Sequence, residues 1–455
     1  MVTKMKKLLV ANRGEIALRI FKAARELGIK TVAVYSDADR GAPHMRAADE
    51  AIHIGKSPPP LSYLNIAGIM RAVAESGADA VHPGYGFLSE NAAFAGAVED
   101  SGTTWVGPSP GVIRDIESKS FCRNLGNRLG VPVTPGSIGN VTSSFEIEKL
   151  FAEHGPPLLL KLDKGGGGKG IQPIHHAAEI ARIFQSSMSM GKAAFGSSDV
   201  YVEKRIENPK HIEIQCLGDH YGHYVALGER ECSVQRRFQK VVEEAPSPAV
   251  TQEERERLCA WSVRILKEMG YRNAGTVEFI RSAEGRYYFM EVNARIQVEH
   301  PVTEMVTGID LVQQQLRIAM GEPLQLRQED IAIHGHAIEA RIYAEDPSTF
   351  LPSPGTIGTI TFPALSKETR LDHALESGLA VSPFYDPMLA KLIVWGPDRR
   401  QAIARLDQAL RQFAIDGIKT TIPLGTAVMD SEAFRQGIFH TEMLADLLQT
   451  KPLPR

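Results

Sequence analysis

The stretch MEVNARIQVEHP, residues 290–301, concentrates polar side chains in a segment that begins like a strand. It holds two carboxylates, two amides and a guanidinium, contributed by Glu291, Glu299, Asn293, Gln297 and Arg295. An unpaired polar group in a buried strand costs about 1–3 kcal/mol, so these groups need partners. The stretch is therefore either a solvated edge or a surface that faces ligands.

The spacing of the first polar residues favours a site for a hard cation. Side chains two residues apart on a strand share a face, so Glu291 and Asn293 project together. Glu278 lies across a predicted hairpin whose turn, RSAEG, contains Gly285 for a positive φ. Two carboxylates and an amide oxygen suit Mg²⁺. The alternative is a solvated edge strand that carries charges against aggregation, which the apolar Phe289 disfavours.

The residues that follow suit a small anion and a proton transfer. Arg295, Gln297 and Glu299 supply a cation, an amide and a carboxylate. His300 is more often a positional residue than a catalyst, because the sequence shows no partner for it.

The glycine run in KLDKGGGGKGIQPI is a second candidate site. Its formal G-x-G-x-x-G pattern requires a helix that begins at the glycines, whereas Pro173 interrupts the segment that follows, so we reject a dinucleotide site. It is not a P-loop, because Lys169 precedes Gly170 rather than Ser or Thr. A flexible linker is the alternative. The flanking strand-like segments, with Lys161 and Lys164, favour a lid over phosphates.

Composition excludes several classes of protein. The 455 residues are 43% hydrophobic and 23% charged, and the formal net charge of -3 gives no overall attraction to nucleic acid or anionic membranes. The four cysteines form no C-x-x-C pair, so neither a zinc site nor a disulfide framework is indicated. No apolar run approaches the roughly 20 residues of a membrane span. We expect a cytoplasmic protein, with an organellar matrix as the alternative.

The order of predicted elements sets the fold class. Strand-like and helix-like segments alternate from residue 6, which predicts a parallel α/β sheet, and the later segments are strand-rich and predicted to be antiparallel. We therefore predict a protein of mixed α/β and α+β class. The predicted domains are an N-terminal α/β domain at 1–117, a central domain at 118–330 with a lid at about 134–205, a C-terminal antiparallel domain at 331–447 and a tail at 448–455.

Together the motifs resemble the biotin carboxylases of the ATP-grasp superfamily. The motifs that carry this resemblance, from about residue 6 to about residue 447, are ANRGEIA, HPGYGFLSEN, SKS, GGGGKG, ENPKHIEIQ, ERECSVQRR, QKVVEEAP, MEVNARIQVEHPVTE, EARIYAEDP and FLPSPG. A chance match over so many ordered motifs is implausible, although no single motif is sufficient. The resemblance implies an ATP-grasp fold in which the glycine run belongs to a lid subdomain.

The resemblance also implies roles for individual residues. ATP would be bound by Lys119, Lys161, Gly166, Gly167, Gly168, Glu203, Lys204, Ile206, His211 and Gln235. Magnesium or manganese would be bound by Glu278, Glu291 and Asn293, in agreement with the spacing. Bicarbonate would be bound by Lys240, Arg295, Gln297 and Val298. Glu299 corresponds to the base that deprotonates bicarbonate, and Arg341 to the arginine that steadies the enolate-like form of biotin.

The implied chemistry is ATP-dependent carboxylation of biotin. Bicarbonate attacks the γ-phosphate of ATP, the carboxyphosphate breaks down to carbon dioxide and phosphate, and N1 of biotin captures the carbon. No M-K-M motif follows residue 300, so we expect biotin on a separate carrier protein and a carboxyltransferase subunit that selects the acyl acceptor. The resemblance further implies a homodimer, and we expect neither nucleic acid nor a membrane as a partner.

Some positions depart from the usual pattern of the family. Small residues are replaced by Leu162, Asp163 and Lys164, the usual methionine by Ile171, and a frequent histidine by Phe238. Asp163 would bring negative charge near the ATP phosphates, with Lys164 as the neutralising neighbour. The departures motivate an alternative, a degenerate homologue with a structural or regulatory role. Another alternative, an ATP-grasp ligase that joins a carboxylate to an amine, does not explain the RIQVEHP run.

Overall fold

The computed structural model describes residues 4–164 and 170–450, and its N-terminal part is the predicted parallel sheet. The strands are β1 (Lys7–Val10), β2 (Lys30–Ser36), β3 (Glu50–Gly55), β4 (Ala80–His82) and β5 (Thr104–Trp105). They pair in the order β3-β2-β1-β4-β5, and each pair is parallel. The helices of this part are α1 (Gly14–Glu26), α2 (Pro43–Ala47), α3 (Ile66–Ser76) and α4 (Ala92–Asp100). Leu9 packs in one core cluster and Leu8 in another, so both faces of the sheet are covered.

Four helices and a small three-stranded sheet follow. These elements are α5 (Pro110–Glu117), α6 (Lys119–Arg128), α7 (Ser144–His154), β6 (Leu158–Leu162), β7 (Ile171–Ile174), α8 (Ile180–Phe195) and β8 (Val200–Lys204). Ser118 separates α5 from α6, and its hydroxyl accepts the N–H of Phe121 at 3.2 Å. The strands pair antiparallel in the order β7-β6-β8. The glycine run therefore connects two neighbouring strands of this sheet.

The centre of the molecule is one eight-stranded antiparallel sheet in the order β13-β12-β9-β10-β11-β14-β19-β17. The bounds of the remaining strands are β9 (Lys210–Gly218), β10 (Tyr224–Arg236), β11 (Gln239–Ala245), β12 (Asn273–Arg281), β13 (Tyr287–Asn293), β14 (His336–Tyr343), β15 (Gly355–Thr356), β16 (Ile360–Thr361), β17 (Thr369–His373), β18 (Ala380–Val381), β19 (Met388–Gly396) and β20 (Ala414–Ile415). Two short sheets pair β15 with β18 and β16 with β20.

The helices of the second half of the chain pack against this sheet. They are α9 (Gln252–Glu268), α10 (His300–Thr307), α11 (Leu311–Ala319), α12 (Arg399–Gln412), α13 (Ile422–Asp430), α14 (Glu432–Gln436) and α15 (Met443–Thr450). Within residues 4–164 and 170–450, no helix has the length and apolarity that a bilayer crossing requires.

The strand β14 links the central and C-terminal parts of the chain. It pairs with β11 on one side, where Val242 lies opposite Ala340, and with β19 on the other. All of its residues are buried, so the alternating sequence of this strand does not mark a solvent-exposed face. Its polar members Glu339 and Arg341 are enclosed. Arg341 binds two buried carboxylates, whereas neither oxygen of Glu339 accepts a hydrogen bond from the described residues.

The hairpin of β12 and β13 forms as the sequence predicts. Gly285 adopts a φ of 82° in the turn, and Glu278 pairs directly with Glu291. A register irregularity follows Glu278, so that Phe279 pairs with Phe289 and both aromatic rings enter the core.

Candidate active site

The three predicted metal ligands lie together on one face of the β12–β13 hairpin. Glu278 and Glu291 are opposite each other in the register, and Asn293 is two residues beyond Glu291. The amide nitrogen of Asn293 donates to Oε1 of Glu278 at 2.8 Å. Oε2 of Glu291 lies 3.5 Å from Nζ of Lys119, which brings the predicted phosphate lysine to the same place. Two carboxylates and an amide therefore converge, which fits a hard cation.

Glu278 is the most heavily contacted carboxylate of the hairpin. It accepts hydrogen bonds from Nε2 of Gln297 at 3.1 Å and from Nε2 of His211 at 2.8 Å, and Nζ of Lys240 lies 3.3 Å away. Nδ1 of His211 accepts from the amide of Gln235 at 2.7 Å, so the ring proton faces Glu278. Burial would raise the pKa of Glu278, but Lys240 and His211 outweigh it and hold this pKa well below its usual range. The carboxylate of Glu278 is therefore held in its ionised form, which is the form that binds a hard cation.

Lys240 and Glu299 form the centre of the site. Nζ of Lys240, on β11, lies 2.6 Å from Oε1 of Glu299 and 2.6 Å from Oε2 of Glu213. Glu299, the residue immediately before α10, has no exposed surface. Burial would raise the pKa of Glu299, but Lys240 and Arg341 lower it well below its usual range. Glu299 is therefore a buried carboxylate that is held in its ionised form.

Arg341 holds the other oxygen of Glu299. Its Nη2 donates to Oε2 of Glu299 at 3.0 Å, while its Nε donates to Oε1 of Glu243 at 2.6 Å. Burial raises the pKa of Glu243 to about 7, although Arg341 opposes that shift. The guanidinium thus joins two buried carboxylates, one of which changes its protonation near neutral pH.

Arg295 and the residues that it contacts lie next to the predicted metal ligands. Nη1 of Arg295 donates to Oε1 of Gln297 at 2.6 Å, and its Nε lies 3.1 Å from Oε2 of Glu90. Nδ1 of the fully buried His300 donates to the main-chain carbonyl of Gln297 at 2.7 Å, which agrees with a positional role for this histidine. Nζ of Lys391 donates to the carbonyl of Val298 at 3.0 Å.

The predicted nucleotide residues on the lid lie around Glu203. Its carboxylate pairs with Lys161, accepts from Nη1 of Arg123 at 3.0 Å and accepts from the hydroxyl of Thr134 at 2.7 Å. Lys204 points away from this cluster and donates to the carbonyl of Pro156 at 2.6 Å. The half-buried Ile206 follows β8. The predicted phosphate contacts Gly166, Gly167 and Gly168 lie outside the described residues.

Asp163 has a structural partner that differs from the expected one. Its carboxylate is buried and accepts the N–H of Ser120 at 2.7 Å and the hydroxyl of Ser118 at 2.9 Å, so it caps the N-terminus of α6. Lys164 does not neutralise it in the structure and lies 3.9 Å from Glu117.

Phe238 lies in the turn between β10 and β11. It adopts a φ of 67° and is 68% exposed. Arg237, the other turn residue, has a φ of 50°, so two residues with side chains occupy positions that glycine or asparagine prefers.

Sequence analysis missed several acidic residues that hold the predicted cations in place. These are Glu90 with Arg295, Glu213 with Lys240, and Glu243 with Arg341. Glu213 was detectable, because it lies two residues after His211 on a strand and so shares its face. Glu90 lies in HPGYGFLSEN and Glu243 in QKVVEEAP, two of the motifs that carry the family resemblance, but only the folded chain pairs them with their arginines.

Models of known families cover most of the chain. The biotin carboxylase N-terminal domain matches residues 4–113, the ATP-binding domain of the carbamoyl-phosphate synthase L chain matches residues 118–327, and the biotin carboxylase C-terminal domain matches residues 339–446. A biotin carboxylase of Haemophilus influenzae is 50% identical over 95% of this chain and 96% of its own length. The chain belongs to the biotin carboxylase family.

Other relatives support this family over nearly the whole length. Biotin carboxylase 1 of Bacillus subtilis is 49% identical over 97% of this chain and 98% of its own length. The 2-oxoglutarate carboxylase small subunit of Hydrogenobacter thermophilus is 48% identical over 97% of this chain and 93% of its own length.

Solved structures of biotin carboxylases have the same fold. The biotin carboxylase domain dimer of the Hydrogenobacter thermophilus enzyme, in complex with MgADP, ADP and bicarbonate, superposes with a TM-score of 0.94 at 48% identity, covering 97% of this chain and 98% of that one. The biotin carboxylase of Campylobacter jejuni also gives 0.94, at 41% identity, covering 97% and 99% of the two chains. The predicted ATP-grasp fold is confirmed, and the enzyme class is that of a ligase that forms a C–N bond.

Proposed function

We propose that the residues around Glu299 catalyse the ATP-dependent carboxylation of biotin by bicarbonate. The observation that carries this proposal is the placement of one buried carboxylate between two cations, with Lys240 at 2.6 Å and Arg341 at 3.0 Å. Such a carboxylate can take a proton from a bound anion, while the cations hold the anion's remaining charge.

Bicarbonate would bind between Arg295, Gln297, Lys240 and the main chain at Val298. Arg295 and Gln297 are already joined at 2.6 Å, so they form a preorganised pair of donors. Glu299 would remove the proton of bicarbonate, which leaves the oxygen free to attack the γ-phosphate of ATP.

The hairpin and the lysines would position ATP. Glu278, Glu291 and Asn293 would hold magnesium or manganese, which when bound offsets negative charge on the transferred phosphoryl group. Lys119 lies 3.5 Å from Glu291, so its ammonium can reach the same phosphates. Lys161, Glu203, Lys204, Ile206, His211 and Gln235 would complete the nucleotide site, together with the glycine run.

Arg341 would steady the enolate-like form of biotin after its ureido proton has been removed. The guanidinium is held at Nε by Glu243, so its orientation is fixed before biotin arrives. Phosphate released from carboxyphosphate would take the proton, and N1 of biotin would capture the carbon dioxide.

We propose that biotin arrives on a separate carrier protein, that a carboxyltransferase subunit receives the carboxyl group, and that the chain is a homodimer in the cytoplasm. Relatives include a subunit of a pyruvate carboxylase and one of a 2-oxoglutarate carboxylase, so similar chains act with different acceptors. A neighbouring structure is described as a dimer. We further propose that the N-terminal, central and C-terminal domains divide at 117/118 and 330/331.

The decisive experiment measures ADP release from ATP with Mg²⁺, with and without bicarbonate and free biotin. We expect biotin to stimulate release and the stimulation to disappear without bicarbonate. The same assay with a biotinylated carrier protein tests the natural substrate. Nucleotide binding without any stimulation, by free or carrier-bound biotin, would overturn the proposal and favour a non-catalytic role.

A further inference from the structure

Lys391 is a buried cation that no step above uses. Its side chain has no exposed surface, and its Nζ donates to the main-chain carbonyl of Val298 at 3.0 Å. The ammonium also lies 3.1 Å from Oε2 of Glu15 on α1 and 3.9 Å from Oδ2 of Asp372 on β17. A buried ammonium needs such partners, because removal of a charge from water is otherwise costly.

The contacts of Lys391 join distant parts of the chain. Glu15 lies within the segment that matches the N-terminal family model, Val298 within the ATP-binding model, and Lys391 within the C-terminal model. One side chain therefore fixes a carbonyl of the predicted bicarbonate site relative to the other two segments.

Lys391 and Arg341 are matched neighbours in the sheet. They lie directly opposite each other in the β14–β19 register, so their side chains share a face. Arg341 binds the carboxylate of Glu299 at 3.0 Å, and Lys391 binds the carbonyl of Val298 at 3.0 Å. The neighbouring cations Lys391 and Arg341 thus bind the consecutive residues Val298 and Glu299.

The main chain before Glu299 is held at two successive peptides. Nδ1 of His300 donates to the carbonyl of Gln297, and this peptide carries the N–H of Val298. Lys391 holds the next carbonyl, whose peptide carries the N–H of Glu299. Val298 and Glu299 have little freedom to turn, which is what a preorganised anion site requires.

We propose that Lys391 is a positioning residue of the bicarbonate site. It acts through Val298, whose main chain it orients, and it does not touch the substrate. This proposal rests on the proposed function. It predicts that loss of Lys391 weakens the use of bicarbonate more than the use of ATP, because the contacts of the nucleotide site lie on other elements.

The test compares KM for bicarbonate with KM for ATP in two variants of the full chain. Lys391→Met removes the ammonium and keeps the length of the side chain, but it leaves Glu15 buried without its cation. The double variant Glu15→Gln/Lys391→Met removes that charge as well and protects the fold. We expect KM for bicarbonate to rise about tenfold or more in both, the size expected for one lost charged hydrogen bond, with KM for ATP changed less than about twofold.

Arg255→Met is the matched control for loss of stability. Arg255 also pairs with a buried carboxylate, Glu229, at 2.6 Å, and sequence analysis places neither residue in the site. The Arg255→Met substitution should lower the melting temperature of the protein. It should not raise KM for bicarbonate more than KM for ATP. Equal changes in both KM values, or an unchanged KM for bicarbonate in a folded Lys391 variant, would overturn the positioning role. A wild-type chain without bicarbonate-dependent turnover would instead overturn the proposed function, and this inference with it.

Discussion

Nζ of Lys240 lies 2.6 Å from Oε1 of Glu299, and this contact joins β11 to the start of α10 at the centre of the site. Both side chains are buried or nearly so, and Glu299 accepts from Arg341 through its second oxygen. Because both oxygens of Glu299 are engaged by cations, its protonation depends on them as well as on any ligand.

Glu299→Gln should remove the proposed base and keep its shape. We expect bicarbonate-dependent ADP release to fall by about 10²–10⁴-fold, the range for loss of a general base, with nucleotide affinity nearly unchanged. Steady-state kinetics and calorimetric titration with MgADP check this. Glu284→Gln, in the exposed hairpin turn, is the matched control. Equal losses of turnover and nucleotide binding would contradict the assignment of Glu299 as a base.

Arg341→Met should change the pH dependence of the reaction. Arg341 lowers the pKa of Glu299, so removal of the guanidinium raises that pKa. We expect the acidic limb of the pH profile of ADP release to move to higher pH. We also expect biotin no longer to stimulate this release. A lower rate with an unmoved acidic limb would show that Arg341 does not act on Glu299.

Glu291→Gln should weaken the metal site. The substitution removes one of the two converging carboxylates, so the Mg²⁺ concentration for half-maximal turnover should rise by about tenfold or more. Mg²⁺ titrations at saturating ATP measure this effect, with Glu284→Gln again as the control. An unchanged Mg²⁺ requirement would exclude Glu291 as a ligand.

The Asp163→Ala substitution tests whether Asp163 mainly caps α6 or mainly repels ATP. If Asp163 mainly caps α6, its loss should destabilise the protein by about 0.5–2 kcal/mol and raise KM for ATP, because Lys119 is the first residue of that helix. If its charge mainly repels ATP, KM for ATP should fall instead. Asp199→Ala, at an exposed position nearby, provides the control. Urea unfolding and ATP kinetics decide between the two.

His82 should make the protein sensitive to acid. Burial lowers its pKa to about 4, while in the unfolded chain a histidine titrates near about 6.5. The unfolded state therefore binds the proton first, so stability is lost as pH falls from about 6.5 through 4, by up to about 1.4 kcal/mol per pH unit. Urea unfolding of wild type and His82→Gln at pH 7 and pH 5 measures the slope. Parallel losses in both proteins would contradict this role.

Local patterns explain why much of the site was predictable. The face shared by Glu291 and Asn293, and the turn at Gly285, depend only on strand periodicity and on the conformation of one glycine. The parallel pairing of the first sheet, although not its strand order, followed from the alternation of elements. The ordered motifs then supplied the family and, with it, the residues expected to bind ATP and bicarbonate.

Contacts over long separations were not predictable in the same way. Ser120 and Asp163 are 43 residues apart, and Arg295 and Glu90 are 205 apart, so neither pair leaves a trace in local spacing. The pairing of β11 with β14 likewise depends on the strand order of the whole sheet, which local sequence does not specify. A single sequence therefore indicated the cations of the site, but not Glu90 and Glu243, two of the carboxylates that hold Arg295 and Arg341.

The pairing of β11 with β14 also limits how the protein can be divided. A chain cut near residue 330 would expose the unpaired N–H and C=O groups of β11 along an edge that β14 normally covers. One fragment would expose the unpaired edge of β11 and the other the unpaired edge of β14. We therefore expect each fragment to aggregate or remain unfolded when it is expressed alone. We therefore expect the central and C-terminal segments, although separate family models match them, to unfold as one cooperative unit.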